Sequence, residues 1–93
     1  MRKAEARHLA KLADLGCICC ELLGYPHSPA EIHHLREGEA AGAGQKSSHF
    51  LAIPLCPDHH RGDKGVHGDK SYLRLLKMTE TDLLAETLER VYG

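Results

Sequence analysis

The sequence predicts a small α+β domain, and three observations support this fold class. The chain has 93 residues, the size of a single domain. Short apolar runs of strand length lie between stretches with helical periodicity. Cysteines and histidines recur in pairs three residues apart, a spacing that suits a metal site in a chain too short to bury a large core. We therefore expect one domain over residues 1–93, stapled by a metal and flanked by helices.

Helices are predicted at both ends of the chain. Residues 2–15 carry an apolar stripe and are followed by Gly16, which suits the position just after a helix. The stripe consists of Leu9, Leu12, Ala13 and Leu15. Residues 79–82 read Thr-Glu-Thr-Asp and resemble a capping box, so the last helix should run from about residue 80 to 92. Its inward residues would be Leu83, Leu84, Leu88 and Val91.

The centre of the chain predicts two strands joined by a loop. Residues 30–35 and 50–55 have strand length, and Pro54 limits the second run to a sheet edge or a strand end. The many small residues of 38–48 predict a flexible loop. Two prolines exclude a helix from residues 25–29.

Two shorter helical stretches follow the strands. Residues 57–61 can open a helix, which Gly62 and Gly65 would interrupt. Residues 69–77 form a further helical stretch with Tyr72 and Leu76 on one face, together with Leu73.

Composition restricts the setting in which the chain works. The N-terminus leads into no apolar signal region, and no stretch approaches the ~20 apolar residues of a membrane span. We expect a cytoplasmic protein with reduced cysteines, which favours metal binding over disulfides. The formal net charge of −1 counts against nucleic-acid binding, although the N-terminal segment is locally basic and the last turns are acidic.

Four residues in two pairs predict a structural zinc site: Cys17 with Cys20, and Cys56 with His59. Structural zinc takes four tetrahedral nitrogen or sulfur ligands. A ligand knuckle followed by a ligand pair at a helix start is the layout of a treble clef. Cys19 is left over, and a Cys17/Cys19 pair is the alternative, with the less common spacing. The competing interpretation is that the cysteines are unrelated and buried as small apolar residues.

The remaining histidines predict a second site. Neighbouring helix residues lie about 100° apart, so if His59 binds the zinc, His60 faces elsewhere. There it can meet the doublet His33-His34, and a loop can return His67 to the same place. Three histidines around a divalent cation, with a fourth as proton acceptor, form a hydrolytic constellation.

Simpler interpretations stay open for these histidines. The doublet can be two solvent-facing residues of an edge strand, and His67 can be a turn residue. Adjacent strand residues face opposite sides, so His33 and His34 share a site only at a bend or an edge. We expect His8 and His27 to be surface or capping residues.

The combined motifs resemble the HNH (ββα-metal) endonucleases, and more narrowly the phage-borne, Ref-like, RecA-dependent nucleases. The matching segments are 31–35 (Glu-Ile-His-His-Leu), 53–61 (Ile-Pro-Leu-Cys-Pro-Asp-His-His-Arg) and 65–68 (Gly-Val-His-Gly). The resemblance covers roughly residues 16–70. It implies a general base at His34 and catalytic-metal ligands at His33, His60 and His67. It also implies structural zinc ligands at Cys17, Cys20, Cys56 and His59.

The resemblance predicts a metal-dependent DNA endonuclease of phage or prophage origin, linked to RecA-mediated recombination. Its cofactors would be structural zinc and a catalytic Mg²⁺, Mn²⁺ or Zn²⁺, and its partners would be DNA and the RecA filament. The sequence departs from the family pattern in two places. Residues 50–53 contain no middle Asn or Asp, with His49 one or two positions away, and the His60–His67 spacing is longer than usual. The alternative function is a non-catalytic zinc module that binds nucleic acid or protein.

Overall fold

Five helices and two strands make up the part of the chain that the computed structural model describes, residues 2–35 and 48–93. In chain order they are α1 (Lys3–Leu15), α2 (Ile18–Leu23), β1 (Glu31–His34), β2 (Ala52–Leu55), α3 (Pro57–Arg61), α4 (Ser71–Leu76) and α5 (Glu80–Tyr92). This composition confirms the predicted α+β class. The loop predicted over residues 38–48 lies outside the described residues except for its last position.

The two strands pair antiparallel, with Ile32 opposite Pro54 and His33 opposite Ile53. Each strand of a two-stranded sheet has a free edge, so a proline without an N–H is tolerated there. All four residues of β2 are buried, because helices α1, α2, α3 and α5 contact this strand. This burial explains why β2 reads as a continuous apolar run without alternation.

Helix α1 ends where the sequence predicts, at Gly16. This residue has φ +81°, and a Cβ there would lie 2.7 Å from His27 Nε2 and 2.8 Å from the Ser28 carbonyl oxygen. Glycine is therefore required both by the backbone conformation and by the close approach of the following loop. His27 is exposed, as predicted.

The predicted exposure of His8 is wrong. Its side chain is 1% exposed and lies four residues before the fully buried Leu12, so both occupy the inward face of α1. Ala13, assigned to the apolar stripe, is exposed instead. His8 Nδ1 hydrogen-bonds the Tyr92 hydroxyl at 2.6 Å, and its ring lies 5.0 Å from that of Phe50.

Helix α5 has the predicted bounds and the predicted cap. Asp82 N donates to Thr79 Oγ1 at 3.1 Å, and Thr79 N donates to Asp82 Oδ2 at 2.9 Å, so two end groups of the helix are satisfied reciprocally. Leu83 and Leu84 are buried in the core. Glu80 is also buried, although the sequence analysis placed no acidic residue of this helix in the core.

The core is one apolar cluster to which all four cysteines belong. Ile18, Ile53, Leu55 and Leu83 in this cluster are fully buried. The three cysteines predicted to bind zinc therefore lie inside the packed centre of the domain. Among the described residues, no helix has the length and apolar character needed to cross a membrane.

Candidate metal centres

The first candidate centre consists of Cys17, Cys20, Cys56 and His59, all buried. His59 Nδ1 lies 3.4 Å from Cys17 Sγ, 3.5 Å from Cys20 Sγ and 3.1 Å from Cys56 Sγ. The sulfurs of Cys20 and Cys56 are 3.9 Å apart. The four ligand atoms thus converge on one point from two segments that lie more than 30 residues apart in the sequence.

These distances fit a tetrahedral zinc ion. With Zn–S bonds of about 2.3 Å and Zn–N bonds of about 2.0–2.1 Å, tetrahedral angles place two sulfurs about 3.8 Å apart and a sulfur about 3.5 Å from a nitrogen. The observed separations of 3.9 Å and 3.1–3.5 Å lie close to these values. The residues therefore suit a structural metal site of the Cys₃His type.

Local structure holds each ligand pair in place. Cys17 caps the first turn of α2, where its sulfur accepts a hydrogen bond from Cys20 N at 3.4 Å. Cys56 occupies the equivalent position before α3, with Pro57 as the first helical residue. Proline suits that position because its missing N–H would have no helical partner. His59 follows within the first turn of α3, so both ligands of each pair lie on one short turn.

The protonation states of the ligands indicate what a metal would supply. A hydrogen bond with Cys19 and burial raise the pKa of Cys17, and burial raises the pKa of Cys20 to about 12. Burial lowers the pKa of His59, which keeps its imidazole neutral and able to coordinate. The thiols of Cys17 and Cys20 would hold their protons at neutral pH unless a cation stabilised the thiolates, so metal binding here should release protons.

Cys19 lies outside this centre. It is 1% exposed and belongs to the apolar core. The alternative Cys17/Cys19 pair is therefore not the one that the structure brings to Cys56 and His59.

The second candidate centre consists of His33, His60 and His67, whose ligand nitrogens lie within 4.8 Å of one another. The Nε2 atoms of His60 and His67 are 3.1 Å apart. Two nitrogens bound to one cation at about 2.0–2.1 Å stand roughly 3 to 3.4 Å apart, so this pair suits a shared metal. His33 is buried and His67 is exposed, so the cluster opens to the surface on one side.

The carboxylates of Glu31 and Glu80 orient two of the three imidazoles of this centre. His60 Nδ1 donates to Glu31 Oε1 at 2.9 Å, and His33 Nε2 donates to Glu80 Oε1 at 2.5 Å. Each bond fixes the tautomer and leaves the other ring nitrogen with its lone pair: Nε2 on His60 and Nδ1 on His33. Metal-binding histidines in proteins almost always have such an outer partner.

Glu31 is itself held in the charged state. Arg61 donates to both of its carboxylate oxygens, with the shortest bond 2.8 Å from Nη2 to Oε2. This guanidinium, together with His60, lowers the pKa of Glu31 to about 2. Sequence reasoning missed both carboxylate partners; the only signal was the position of Glu31 two residues before His33, on the same face of β1.

A tight turn returns His67 to the end of α3, as the two glycines predict. Val66 N donates to the His59 carbonyl at 3.0 Å, and His67 N donates to the His60 carbonyl at 2.9 Å. A Cβ on Gly65 would lie 2.6 Å from the His59 oxygen, so this close return requires glycine. The longer His60–His67 spacing is therefore accommodated by a loop that folds back onto the helix.

The two histidines of the doublet have different neighbours, as strand alternation requires. The ring of His33 lies 5.1 Å from that of His60 and 5.0 Å from that of His67. His34 Nε2 instead lies 3.0 Å from His49 Nδ1, within hydrogen-bond distance. Burial, with smaller contributions from the charges of His49 and His33, lowers the pKa of His34, so its imidazole is neutral at neutral pH.

These features define the class of the protein: a small α+β domain with a buried Cys₃His centre and a second, more accessible three-histidine centre. The family model for recombination enhancement, RecA-dependent nuclease, matches residues 2–91. The chain therefore belongs to this family of RecA-dependent nucleases, and this part of the narrower resemblance is confirmed. No solved structure matches the chain.

Proposed function

We propose that the protein is a metal-dependent DNA endonuclease of the HNH (ββα-metal) type, of phage or prophage origin, that acts in RecA-linked recombination. One observation carries this proposal. The imidazoles of His33, His60 and His67 converge within 4.8 Å at an accessible position. The next residue after His33 in β1 is His34, whose lowered pKa keeps its imidazole neutral. In this proposal a zinc ion is bound in a treble-clef arrangement by Cys17, Cys20, Cys56 and His59. This zinc site supports strand β1 and helix α3, which carry the histidines of the catalytic site.

In this proposal His33, His60 and His67 hold the catalytic divalent cation. The bound cation would polarise the scissile phosphate and stabilise the leaving oxygen. The protein contributes the fixed orientation of the ligands, since Glu80 and Glu31 hold two of the three imidazoles by hydrogen bonds of 2.5 and 2.9 Å. The exposed side of His67 leaves room for the DNA backbone to approach.

His34 is the proposed general base. With its Nε2 atom occupied by His49, its Nδ1 atom is the nitrogen available to take a proton from the attacking water. A neutral imidazole is the form that accepts a proton, and a general base of this kind contributes typically ~10²–10⁴-fold to the rate. We propose that His49 orients His34, which addresses the lack of an Asn or Asp in residues 50–53.

The ligand chemistry favours some metals over others. Imidazole suits Zn²⁺ and other transition metals, whereas Mg²⁺ prefers oxygen ligands and retains its waters. Mg²⁺, Mn²⁺ and Zn²⁺ were all expected from the sequence, and three imidazoles rank Mg²⁺ last among them. We therefore expect cleavage with Mn²⁺ or Zn²⁺ at concentrations at which Mg²⁺ gives little.

The decisive experiment is plasmid nicking across a metal series, with and without RecA, using wild type and His34→Ala. We expect His34→Ala to lose at least ~10²-fold in rate and to retain both metals. His27→Ala is the matched control, because His27 is exposed and lies at neither centre. Equal cleavage by wild type and His34→Ala would refute the assigned base. His49→Asn should retain more activity than His49→Ala if His49 acts by orienting His34.

Two observations favour the second candidate, a non-catalytic zinc module. The net charge of −1 is unusual for a protein that acts on nucleic acid, and the middle Asn or Asp of the nuclease pattern is missing from residues 50–53. This function needs only the Cys₃His centre. DNA or protein binding without cleavage, under every metal and RecA condition, would support it and exclude the nuclease.

A further inference from the structure

Helix α1 presents a row of positive charges to solvent. Lys3, Arg7 and Lys11 are four residues apart, so their side chains lie along one side of the helix. All three are exposed, and none forms an ion pair with any described residue. We call these three residues the α1 cationic row.

The charge of the chain is distributed unevenly. Residues 2–15 contain four basic and two acidic residues, a net charge of +2, whereas the whole chain has −1, so the remaining residues carry −3. The net charges of the two parts therefore favour α1 over the rest of the chain for binding a polyanion.

A series of ring contacts connects this row to the proposed catalytic residues. Lys11 Nζ lies 4.5 Å from the centre of the Tyr92 ring, a cation–π contact that restricts the lysine. Tyr92 stacks on His8, with ring centres 5.7 Å apart and planes 5° apart. His8 in turn lies 5.0 Å from Phe50.

Phe50 ends this series next to the proposed active site. Phe50, the only phenylalanine in the chain, is 43% exposed, a high value for a large apolar residue. The preceding residue, His49, is the partner of His34 at 3.0 Å. An exposed aromatic ring thus lies between the α1 cationic row and the proposed general base.

We infer that this surface binds a single DNA strand, with its phosphates along the α1 cationic row and a base stacked on Phe50. The inference rests on the proposed DNA nuclease function and adds the path of the substrate. Phosphates are neutralised by lysine and arginine, and unpaired bases stack on exposed aromatic rings. A duplex satisfies only the first of these contacts, because its bases already stack on one another.

The test is DNA binding by fluorescence anisotropy over a salt series, in the His34→Ala background so that cleavage does not interfere. The probe is a labelled single-stranded oligonucleotide. Lys3→Gln/Arg7→Gln removes two proposed phosphate contacts, so the slope of log affinity against log salt should decrease by about 1.4. Lys70→Gln/Lys77→Gln makes the same change in net charge at the two ends of α4 and is the matched control.

The control decides between a specific surface and a general charge effect. We expect the α4 control to change the salt slope by less than half as much as the α1 variant. Equal slopes for both double variants, or an α1 variant that binds like wild type, would overturn the inferred surface.

Phe50 tests the single-strand assignment. Phe50→Leu keeps an apolar side chain but removes the aromatic face, so single-strand affinity should decrease roughly fivefold or more, while Phe50→Tyr should bind like wild type. Duplex affinity should not change. An equal loss for both forms of DNA, or no loss for the single strand, would overturn the proposed stacking.

The two proposals can fail separately. A protein that binds DNA through the α1 cationic row but never cuts it contradicts the nuclease and not the surface. A protein that loses cleavage in His34→Ala, yet binds DNA unchanged in Lys3→Gln/Arg7→Gln, contradicts only the surface.

Discussion

Two adjacent histidines of α3 should respond to substitution in opposite ways. His59 points into the Cys₃His centre, with its Nδ1 atom 3.1–3.5 Å from three sulfurs. His60 points to the three-histidine centre, 3.1 Å from His67 and 2.9 Å from Glu31. We predict that His59→Ala is a folding defect, whereas His60→Ala is a metal-binding defect at the second centre.

The expected loss of stability can be estimated for each variant. Structural zinc contributes roughly 10 kcal/mol or more, so one of four ligands accounts for about 2.5 kcal/mol. Truncating a buried ring adds about 2–5 kcal/mol, which gives a total of about 4.5–7.5 kcal/mol for His59→Ala. His60→Ala removes two hydrogen bonds of about 0.5–1.5 kcal/mol each, and Glu31 keeps Arg61 as its partner.

For a domain of this size, 1 kcal/mol shifts Tm by roughly 4–8 °C. We therefore expect a decrease of about 20 °C or more for His59→Ala, with loss of zinc, and a decrease of about 4–24 °C for His60→Ala, with zinc retained. The measurements are thermal unfolding by circular dichroism and metal content by mass spectrometry. His27→Ala serves as the control. Retention of zinc by His59→Ala, or its loss from His60→Ala, would refute the division of roles.

Two further predictions concern the turn after α3 and the buried histidine of α1. Gly65→Ala places a Cβ 2.6 Å from the His59 carbonyl oxygen and should displace His67 from the second centre. Calorimetric titration should then show Mn²⁺ binding weakened roughly tenfold or more, with zinc retained. Unchanged Mn²⁺ affinity would contradict the role of the turn. Burial, and then Lys11, lowers the pKa of His8, so its stabilising neutral form is fully present above pH ~6.5 and lost as pH falls towards the lowered pKa. Urea midpoints at pH 7.5 and 5.5 should therefore decrease less in His8→Leu than in wild type, and equal decreases would contradict this account.

Features fixed by neighbouring residues were predictable from the sequence. The capping box of Thr79 and Asp82 set the start of α5, because both hydrogen bonds form within one turn. The Cys17–Cys20 and Cys56–His59 pairs were recognisable for the same reason: a spacing of three places both ligands on one turn. The different directions of His59 and His60 followed from helix geometry alone.

Features that depend on distant contacts were not predictable. Glu80 reads as an ordinary acidic residue in the first turn of a helix, yet the docking of α5 buries it against His33, 47 residues earlier in the chain. His8 meets Tyr92 across 84 residues. Periodicity treats histidine and glutamate as polar and therefore places them outside, although a partner of matching chemistry makes their burial favourable.

The arrangement of the two centres makes their dependence on each other unequal. His59 and His60 are neighbours on a helix of five residues, a length that has little stability in isolation. The Cys₃His centre fixes this helix to α2, and the turn that carries His67 is hydrogen-bonded to the carbonyls of the same helix. Removing the structural metal should therefore disorder the three-histidine centre as well. Removing the metal of the second centre should leave the Cys₃His centre intact. Glu31 still holds His60 and Glu80 still holds His33 by hydrogen bonds, so helix α3 keeps its place without that metal.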